Sequence, residues 1–396
     1  LRNFLKGKID MIIRQESVDS TKALKDLPGA SPLPSANLVL VFGSVKRFNE
    51  GKLLGFLKAR YPTAQLVGCT TSGEISPSGV YDDSIQITAI HWEKTIQRVA
   101  STKMSGMQNS FEAAAGLAKQ LKADSLRTIL VISDGLNVNG SELLKGFQSV
   151  LGDTPIVGGL AGDGGAFVKT LQLFNDTISD NQVIAVGLYG NALIMSSGAL
   201  GGWKPYGPPR KVTKSEKNVV FELDGKPALP LYRMYIGEAF SRGLPGTGLK
   251  FPLAVIEEGK RDVEKIRTLL AVDAINNSLT FAGNVEEGET VRLCQTNHDR
   301  LVEGAGSAAN LVMDGLSANK TNQPGLAVCV SCVGRKGVMA EQVGDEVKLV
   351  QQILGPQTAV TGFYSYGELA PRPHTTDSVL HNQTMTIGYL SENLLA

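Results

Sequence analysis

The chain has 396 residues, 42% of them hydrophobic, which is enough for real cores and for two or three domains rather than one. A net charge of +1 without a long basic run excludes the electrostatic footprint of a nucleic-acid binder. No apolar stretch reaches the length of a membrane span or resembles a signal peptide, and four cysteines are too few for a disulfide scaffold. The expectation is therefore a soluble cytoplasmic protein with no nucleic-acid or membrane partner; its start at Leu1 rather than Met suggests a processed or trimmed beginning.

Taken in order, residues 1–36 show weak helical spacing from Leu1 to about Leu27, broken by Pro28-Gly-Ala-Ser-Pro-Leu-Pro34. Leu38–Phe42 is an unalternating apolar run, as in a strand covered on both faces. A helix over Asn49–Arg60 follows, with Leu53, Leu54, Phe56 and Leu57 at helical spacing, and Pro62 stops it. Leu66-Val-Gly-Cys-Thr-Thr-Ser-Gly-Glu-Ile75 then reads as a second strand running into a glycine turn capped by a carboxylate. Ser84–His91 alternates as a half-buried strand.

The same pattern returns twice. After a helix at Gln108–Lys122 come the strand Thr128–Ser133, a helix with a plausible cap at Ser141, and Ile156-Val-Gly-Gly-Leu-Ala-Gly-Asp163. Strands near Thr170–Phe174 and Gln182–Tyr189 follow. After a helix at Asp299–Leu316 come the strand Leu326–Cys332 and Val360-Thr-Gly-Phe-Tyr-Ser-Tyr-Gly-Glu-Leu369, closed by a strand over Leu380–Leu390. Between them, residues 201–218 are rich in Gly and Pro. Residues 219–288 differ in character, with a strand at Val219–Leu223, a helix at Ala228–Phe240, a strand at Phe251–Ile256 and a hairpin-like pair around Ile266–Phe281.

One β–α–β–Gly-carboxylate unit is thus used three times. The expected class is α/β: two pseudo-symmetric halves built from repeated β–α–β units on mixed sheets, facing a shared cleft. The division is 1–36 as an extension, 37–218 as the first half and 219–396 as the second. Ligands of such sheets gather at the carboxyl ends of strands, where the glycine-acid turns lie.

The turns Gly73-Glu74, Gly162-Asp163 and Gly367-Glu368 pair a residue free to adopt positive φ with a charge that suits a ligand amine. The alternative is a carboxylate satisfying nearby turn amides. Arg335, leaving the Leu326–Cys332 strand, suits a bidentate grip on a carboxylate, or else an ion pair with a local acid such as Glu341. By alternation His381 shares an apolar face with Gln383, Met385, Ile387 and Tyr389, while Asn382, Thr384 and Thr386 line the other. It is a core group with a backbone partner or an inward ligand contact. Cys329-Val-Ser-Cys332 has redox or zinc spacing, but a second ligand pair is missing, so two buried strand cysteines are expected and no metal. His91 and His298 stand alone, no nucleophile with a partnered base can be assembled, and Gly158-Gly-Leu-Ala-Gly-Asp-Gly-Gly165 lacks the Lys-Ser/Thr of a phosphate loop.

Seven stretches together resemble the FIST proteins, sensory modules with FIST N and FIST C halves. They are Val67-Gly-Cys-Thr-Thr-Ser-Gly-Glu74, the Gly-Gly-x-x-Gly-Asp of 158–163, Phe251-Pro-Leu, Val285-Glu-Glu-Gly-Glu289, Val330-Ser-Cys-Val-Gly-Arg335, Gly362-Phe-Tyr-Ser-Tyr-Gly-Glu368 and Leu380-His-Asn-Gln-Thr-Met-Thr386. The resemblance implies a non-enzymatic sensor of a small ligand, amino acids among the candidates. With both halves filling the chain, the signal would pass to a separate protein such as a histidine kinase. Some stand-alone relatives resemble haem-bound nitric-oxide sensors; that alternative needs an axial ligand, for which His381, His374 and Cys332 are candidates, and a base such as Arg335 or Arg372 for the propionates. The expected ligand site is Gly73, Glu74, Gly162, Asp163, Cys332, Arg335, Tyr366, Gly367, Glu368 and His381, with Asn382 and Gln383 in support, and no cofactor outside the haem alternative.

Overall fold

The computed structural model describes residues 11–19, 21–27, 30–256, 263–318 and 323–393. In each repeat the unalternating run is a strand with both faces covered, and its second strand lies parallel to it. These pairs are Leu38–Gly43 with Gln65–Thr70, Leu126–Ser133 with Ile156–Leu160, and Leu326–Cys332 with Ala359–Ser365. Ile85–His91, Gln182–Tyr189 and Met385–Glu392 add antiparallel on the other side of each first strand. The crossover helices include Leu53–Arg60, Gly140–Leu151 and Gly344–Leu354. The class is mixed α/β on several mixed sheets, as expected.

The alternate faces of these strands build two kinds of core. Val39 and Val41 pack outward under helix residues Leu53 and Leu57, while Leu40 and Phe42 pack inward with Leu130, Ile132, Val328, Val330 and Phe363. The inward cluster draws on all three sheets, so the units enclose one shared apolar interior. Each fully buried side chain of this kind stabilises the fold by roughly 1.5–3 kcal/mol.

What fastens the units into a ring is the strand after each turn. Glu74–Ser76 leaves the first unit and pairs with Ala359–Ser365 of the third. Gly367–Pro371 leaves the third and pairs with Ile156–Leu160 of the second. Gln172–Phe174 leaves the second and pairs with Gln65–Thr70 of the first, closing the cycle. Each turn also gives one equivalent backbone bond to the next unit: Ser72 N to Tyr364 O at 2.8 Å, Tyr366 N to Leu160 O at 3.2 Å, and Gly162 N to Thr70 O at 3.0 Å. The ring mixes both ends of the chain, because the third sheet holds Glu74–Ser76, Gly79–Tyr81 and Leu193–Leu200 beside the late strands.

A fourth, wholly antiparallel sheet is inserted between Leu193–Leu200 and the helix His298–Ala318. Its core gathers Val212, Val220, Tyr232, Leu253, Phe281 and Val291. The Gly-Pro-rich stretch begins this sheet: Lys204–Glu216 is a strand, and Gly207-Pro208-Pro209 falls where its register against Thr290–Gln295 slips. Prolines are tolerated at such a break because no ladder bond is asked of them.

Three expectations are corrected. Ile12–Val18, inside the stretch read as weakly helical, is a strand paired with Ile85–His91; residues 1–10 lie outside the described residues. The Gly140 helix is capped by Asn139, whose Oδ1 accepts from Ser141 N and Glu142 N at 3.0 and 3.1 Å, rather than by Ser141. The closing strand is two strands in different sheets, Ser378–His381 and Met385–Glu392, because Gln383 takes a φ of 58° between them. Simple alternation from His381 to Tyr389 therefore fails.

Candidate functional site

The expected site residues fall into three groups around the ring. At the first unit's corner, Gly73 has a φ of 138° and Glu74 is buried. The Glu74 carboxyl accepts Thr71 Oγ1 at 2.5 Å, Ser84 N at 3.0 Å and Ser84 Oγ at 2.7 Å. Burial pushes its pKa up to about 7, against the lowering pull of those hydrogen bonds.

At the second unit's turn, Gly162 lies against Ser72: a Cβ there would stand 2.8 Å from Ser72 N. Asp163 does not hold the place of Glu74 and Glu368. It accepts the amides of Phe167, Val168 and Lys169 at 2.8, 2.6 and 2.8 Å, and the Tyr366 hydroxyl. Burial raises its pKa, but these donors outweigh burial and hold it below the usual carboxylate range. The ring of Phe167 stacks on Tyr366 at 4.3 Å.

The register partner that matches Glu74 and Glu368 in the second unit is Gln172. Glu74 stands opposite Phe363, Glu368 opposite Gly159 and Gln172 opposite Cys69, one residue before the matched strand positions Tyr364, Leu160 and Thr70. Thr70 to Glu74 and Tyr364 to Glu368 span four positions each, and Leu160 to Gln172 spans twelve. The extra eight residues form the Asp163-centred loop, and the Gly-Asp likeness of the sequence falls inside it.

The third corner carries most of the remaining expected residues. Glu368, following Gly367, is fully buried; it accepts Ser365 Oγ at 2.7 Å and Thr384 N at 3.3 Å and stands opposite His381. Burial pushes its pKa up to about 8, with Arg335 among the smaller lowering influences. Cys332 donates its backbone amide to Thr384 O at 3.2 Å, and burial pushes its thiol well up, as it does for Cys329. Arg335 pairs not with Glu341 but with Glu346, at 2.5 Å with both side chains fully buried. The same nitrogen, Nη2, also donates to Leu301 O at 2.8 Å, and Nη1 donates to Gly201 O at 2.6 Å. Ser331 Oγ and Tyr364 OH also donate to Glu346, at 2.9 and 2.5 Å. This arginine is a clamp that seats helix and strand.

Beside this corner opens a crevice of about 100 Å³ lined by Leu200–Trp203, Lys265, Ile266, Pro373, His381 and Thr384. Local sequence explains its shape. Gly202 has a φ of 74° and, with Gly201, lies so close to Gly304 of the His298–Ala318 helix that a Cβ on Gly304 would sit 2.6 Å from Gly202 N. Trp203 Nε1 donates to Gln383 O at 2.9 Å and Gln383 Nε2 to Leu249 O at 3.0 Å, so the His381–Thr384 turn is pinned from both sides.

His381 bonds Ala370 O through Nε2 at 3.2 Å. Burial, then the charges of Arg267 and Arg372, push its pKa down to about 4, so the imidazole is neutral at cellular pH. A carbonyl only accepts, so Nε2 carries the proton and Nδ1 is an acceptor. Asn382 Oδ1 and Gln383 Oε1 are buried acceptors without a donor, and Arg335 Nε is a buried donor without an acceptor. Buried polar atoms are paired in the great majority of cases, so these three are exceptions, and they lie behind the crevice rather than in its lining. Lys265, which also lines the crevice, is held by Glu289 at 2.6 Å.

Sequence reasoning missed Trp203, Lys265 and Thr384. The Gly201-Gly202 pair beside a tryptophan was the available signal for the first; nothing local marks Lys265. The two lone histidines have acidic neighbours, His91 with Glu93 at 3.6 Å and His298 with Asp345 at 3.4 Å. Among the described residues no group of three His, Cys, Asp or Glu is placed to hold a metal ion, and no helix is long and apolar enough to cross a membrane.

A cyclic α/β assembly with a polar crevice at its seam has the form of a ligand-binding module. The FIST N domain matches residues 37–226 and the FIST C domain residues 228–371, so the chain belongs to the FIST family, whose domains are sensory and bind small ligands. Among its relatives, the uncharacterized protein Rv0628c of Mycobacterium tuberculosis is 25% identical over 366 residues, covering 88% of this chain and 89% of that protein. The uncharacterized protein MJ1623 of Methanocaldococcus jannaschii is 26% identical over 283 residues, 65% of this chain and 51% of that one. Among solved structures, a cyanuric acid hydrolase from A. caulinodans aligns over 97% of this chain and 99% of its own, with a TM-score of 0.39 and 8% identity. A chorismatase aligns over the same shares with a TM-score of 0.36 and 9% identity. Likenesses so loose carry no argument about activity.

Proposed function

We propose that this chain is a cytoplasmic sensor that binds an amino acid or similar metabolite in the crevice floored by the His381–Thr384 turn and reports occupancy to a separate protein, such as a histidine kinase. The observation that carries the reading is the origin of the walls. Ala199–Trp203 comes from the FIST N match and Lys265 and Ile266 from the FIST C match, so one ligand touches both. Of the polar residues that line the crevice, His381, whose Nδ1 is an acceptor, and the Thr384 hydroxyl suit an ammonium group, and Lys265 suits a carboxylate. A ligand that bridges the two segments favours the arrangement in which they are closed, and a partner that reads that arrangement receives the signal. Catalysis is not part of the reading, since the thiols are buried and hard to ionise.

Thermal unfolding against the twenty amino acids tests it. A ligand at about a hundred times its Kd stabilises by about 2.7 kcal/mol. At least one amino acid is expected to raise the midpoint, its amide and N-acetyl derivatives to fail, and Lys265→Ala or Thr384→Val to lose the shift. A panel without any stabiliser, or a shift that survives both substitutions, contradicts the reading.

One observation favours haem as a second reading. His374 and Arg372 line a single cleft of about 650 Å³ with Met195, Leu311 and Ala318, a size within the range of cofactor pockets. His381 and Cys332 fit haem poorly, the first in a crevice of about 100 Å³ and the second inside a core strand. Bound there, haem would supply an iron centre able to take nitric oxide, and His374 and Arg372 are the residues that would hold it, the first through the iron and the second through its charge. A Soret band lost in His374→Ala and kept in His381→Ala supports this; the reverse pattern refutes it.

A further inference from the structure

Glu74, Gln172 and Glu368 lie in the first two residues of the three strands that close the ring, and each accepts an amide at or just before the start of its own unit's antiparallel strand. The distances are 3.0 Å from Ser84 N, 3.1 Å from Gln182 N and 3.3 Å from Thr384 N. Each also has a hydroxyl from its own turn nearby, Thr71, Thr170 and Ser365: Gln172 donates Nε2 to Thr170 Oγ1 at 3.4 Å, and a protonated Glu74 or Glu368 would likewise donate its O–H to the Thr71 or Ser365 hydroxyl in place of accepting from it. In the second unit a neutral amide does this work, so the place requires no charge. At the other two corners the surroundings oppose one, with Glu74 1% and Glu368 0% exposed.

Around Glu74 stand the hydroxyls of Thr71 and Ser84, the Cys69 thiol, and Asp82, which is paired with Lys336. Around Glu368 stand Ser365, the Cys332 thiol, His381 across the strand pair, and Arg335, whose guanidinium is bound to Glu346. We propose that the ring is closed by protonated carboxyl groups: Glu74 and Glu368 stand in it as neutral counterparts of Gln172, and loss of their protons loosens the crossed strands Glu74–Ser76 and Gly367–Pro371. Burial, which pushes Glu74 up to about 7 and Glu368 up to about 8, puts that release within the pH range of cells. Because both folded values lie above the ordinary 4.5, the folded state holds these protons longer than the unfolded chain. The contribution of these two groups to stability is complete at low pH, falls as pH rises past 4.5, and levels off above the folded values. The Glu368 corner shares the Thr384 turn with the crevice, so opening there would be felt by the ligand; that consequence rests on the sensor reading, and the closure itself does not.

Urea unfolding of the full chain between about pH 6.5 and 9 tests the closure, beside Glu74→Gln, Glu368→Gln and Gln172→Glu, with hydrogen exchange followed over 70–76 and 366–371. The wild-type midpoint should fall across this range and exchange at both segments should quicken. Each Glu→Gln variant should match wild type at the acidic end and lose part of the fall, and Gln172→Glu should steepen it. Glu→Gln variants that reproduce the wild-type pH profile overturn the proposal. Should a variant not fold, the infrared carbonyl band of a buried neutral carboxylic acid decides on the wild type alone: present at about pH 6 and gone at about pH 9 supports it, absent at both overturns it.

Discussion

A substitution of Gly158 by alanine probes why glycine recurs in the second strand of every unit. Gly68, Gly158 and Gly362 lie where the neighbouring parallel strand passes closest. A Cβ on them would sit 2.8 Å from the carbonyl carbon of Val41, 2.8 Å from that of Val131 and 2.7 Å from that of Cys329, nearer still to each oxygen. At Gly158 the Cβ would also meet Val131 N at 2.9 Å, and the residue has a φ of 134°. The obstacle is backbone inside a hydrogen-bonded ladder, so it cannot swing aside as a side chain would. Strain at such a φ costs on the order of 1–3 kcal/mol, and overpacking adds about 1–3 kcal/mol. The sum is roughly 4 kcal/mol. With an unfolding entropy of about 2.1 cal/mol/K per residue, this lowers the midpoint by about 5 °C if the chain unfolds as one unit. Gly116 is the control: it sits inside the helix Ser110–Leu121 with nothing within 4 Å of a new Cβ. Gly116→Ala should be neutral or stabilise by up to about 1 kcal/mol. Denaturant melts of both variants measure this. A Gly158→Ala protein within about 1 kcal/mol of wild type would refute the close-approach account.

Glu346→Gln leaves the buried Arg335 guanidinium without its counter-charge and should cost about 3–5 kcal/mol in urea melts, whereas replacing both partners by apolar residues should recover most of the loss. His381, whose folded pKa lies near 4 against an ordinary 6.5, holds its proton less well than the unfolded chain does. Its contribution is present above pH 6.5 and lost as pH falls toward 4, on the order of 3 kcal/mol at about 1.36 kcal/mol per pKa unit, and the acid-side slope should shrink in His381→Leu. Asp163→Ala frees the amides of Phe167, Val168 and Lys169 and should make that loop the first site of limited proteolysis, with little change in the global midpoint.

The repeat itself was legible because its causes are local. Two-sided burial writes an unalternating apolar run, and the close strand approach writes a glycine at 68, 158 and 362. The ring was less legible, since which sheet a crossing strand joins depends on partners hundreds of residues away. The second unit misled for a definite reason: an eight-residue longer turn carries its own Gly-Asp, while the residue that fills the acid's place is Gln172, chemically disguised by its amide. The crevice was half visible. His381, Asn382 and Gln383 announced themselves as polar residues in an apolar strand, although the φ of Gln383 undid the alternation used to orient them. Lys265 comes from an inserted sheet, and no spacing ties it to position 381. Arg335 was noticed as a strand-end arginine, but its partner Glu346 sits on the buried side of a helix that only tertiary packing identifies.

The most direct measurement is a crystal structure of the protein grown with whichever amino acid stabilises it. The account predicts ligand density between Trp203, Lys265 and the His381–Thr384 turn, with the carboxylate toward Lys265 and the amine toward His381 Nδ1. Well-ordered ligand elsewhere, with that crevice empty in the same crystal, would contradict it.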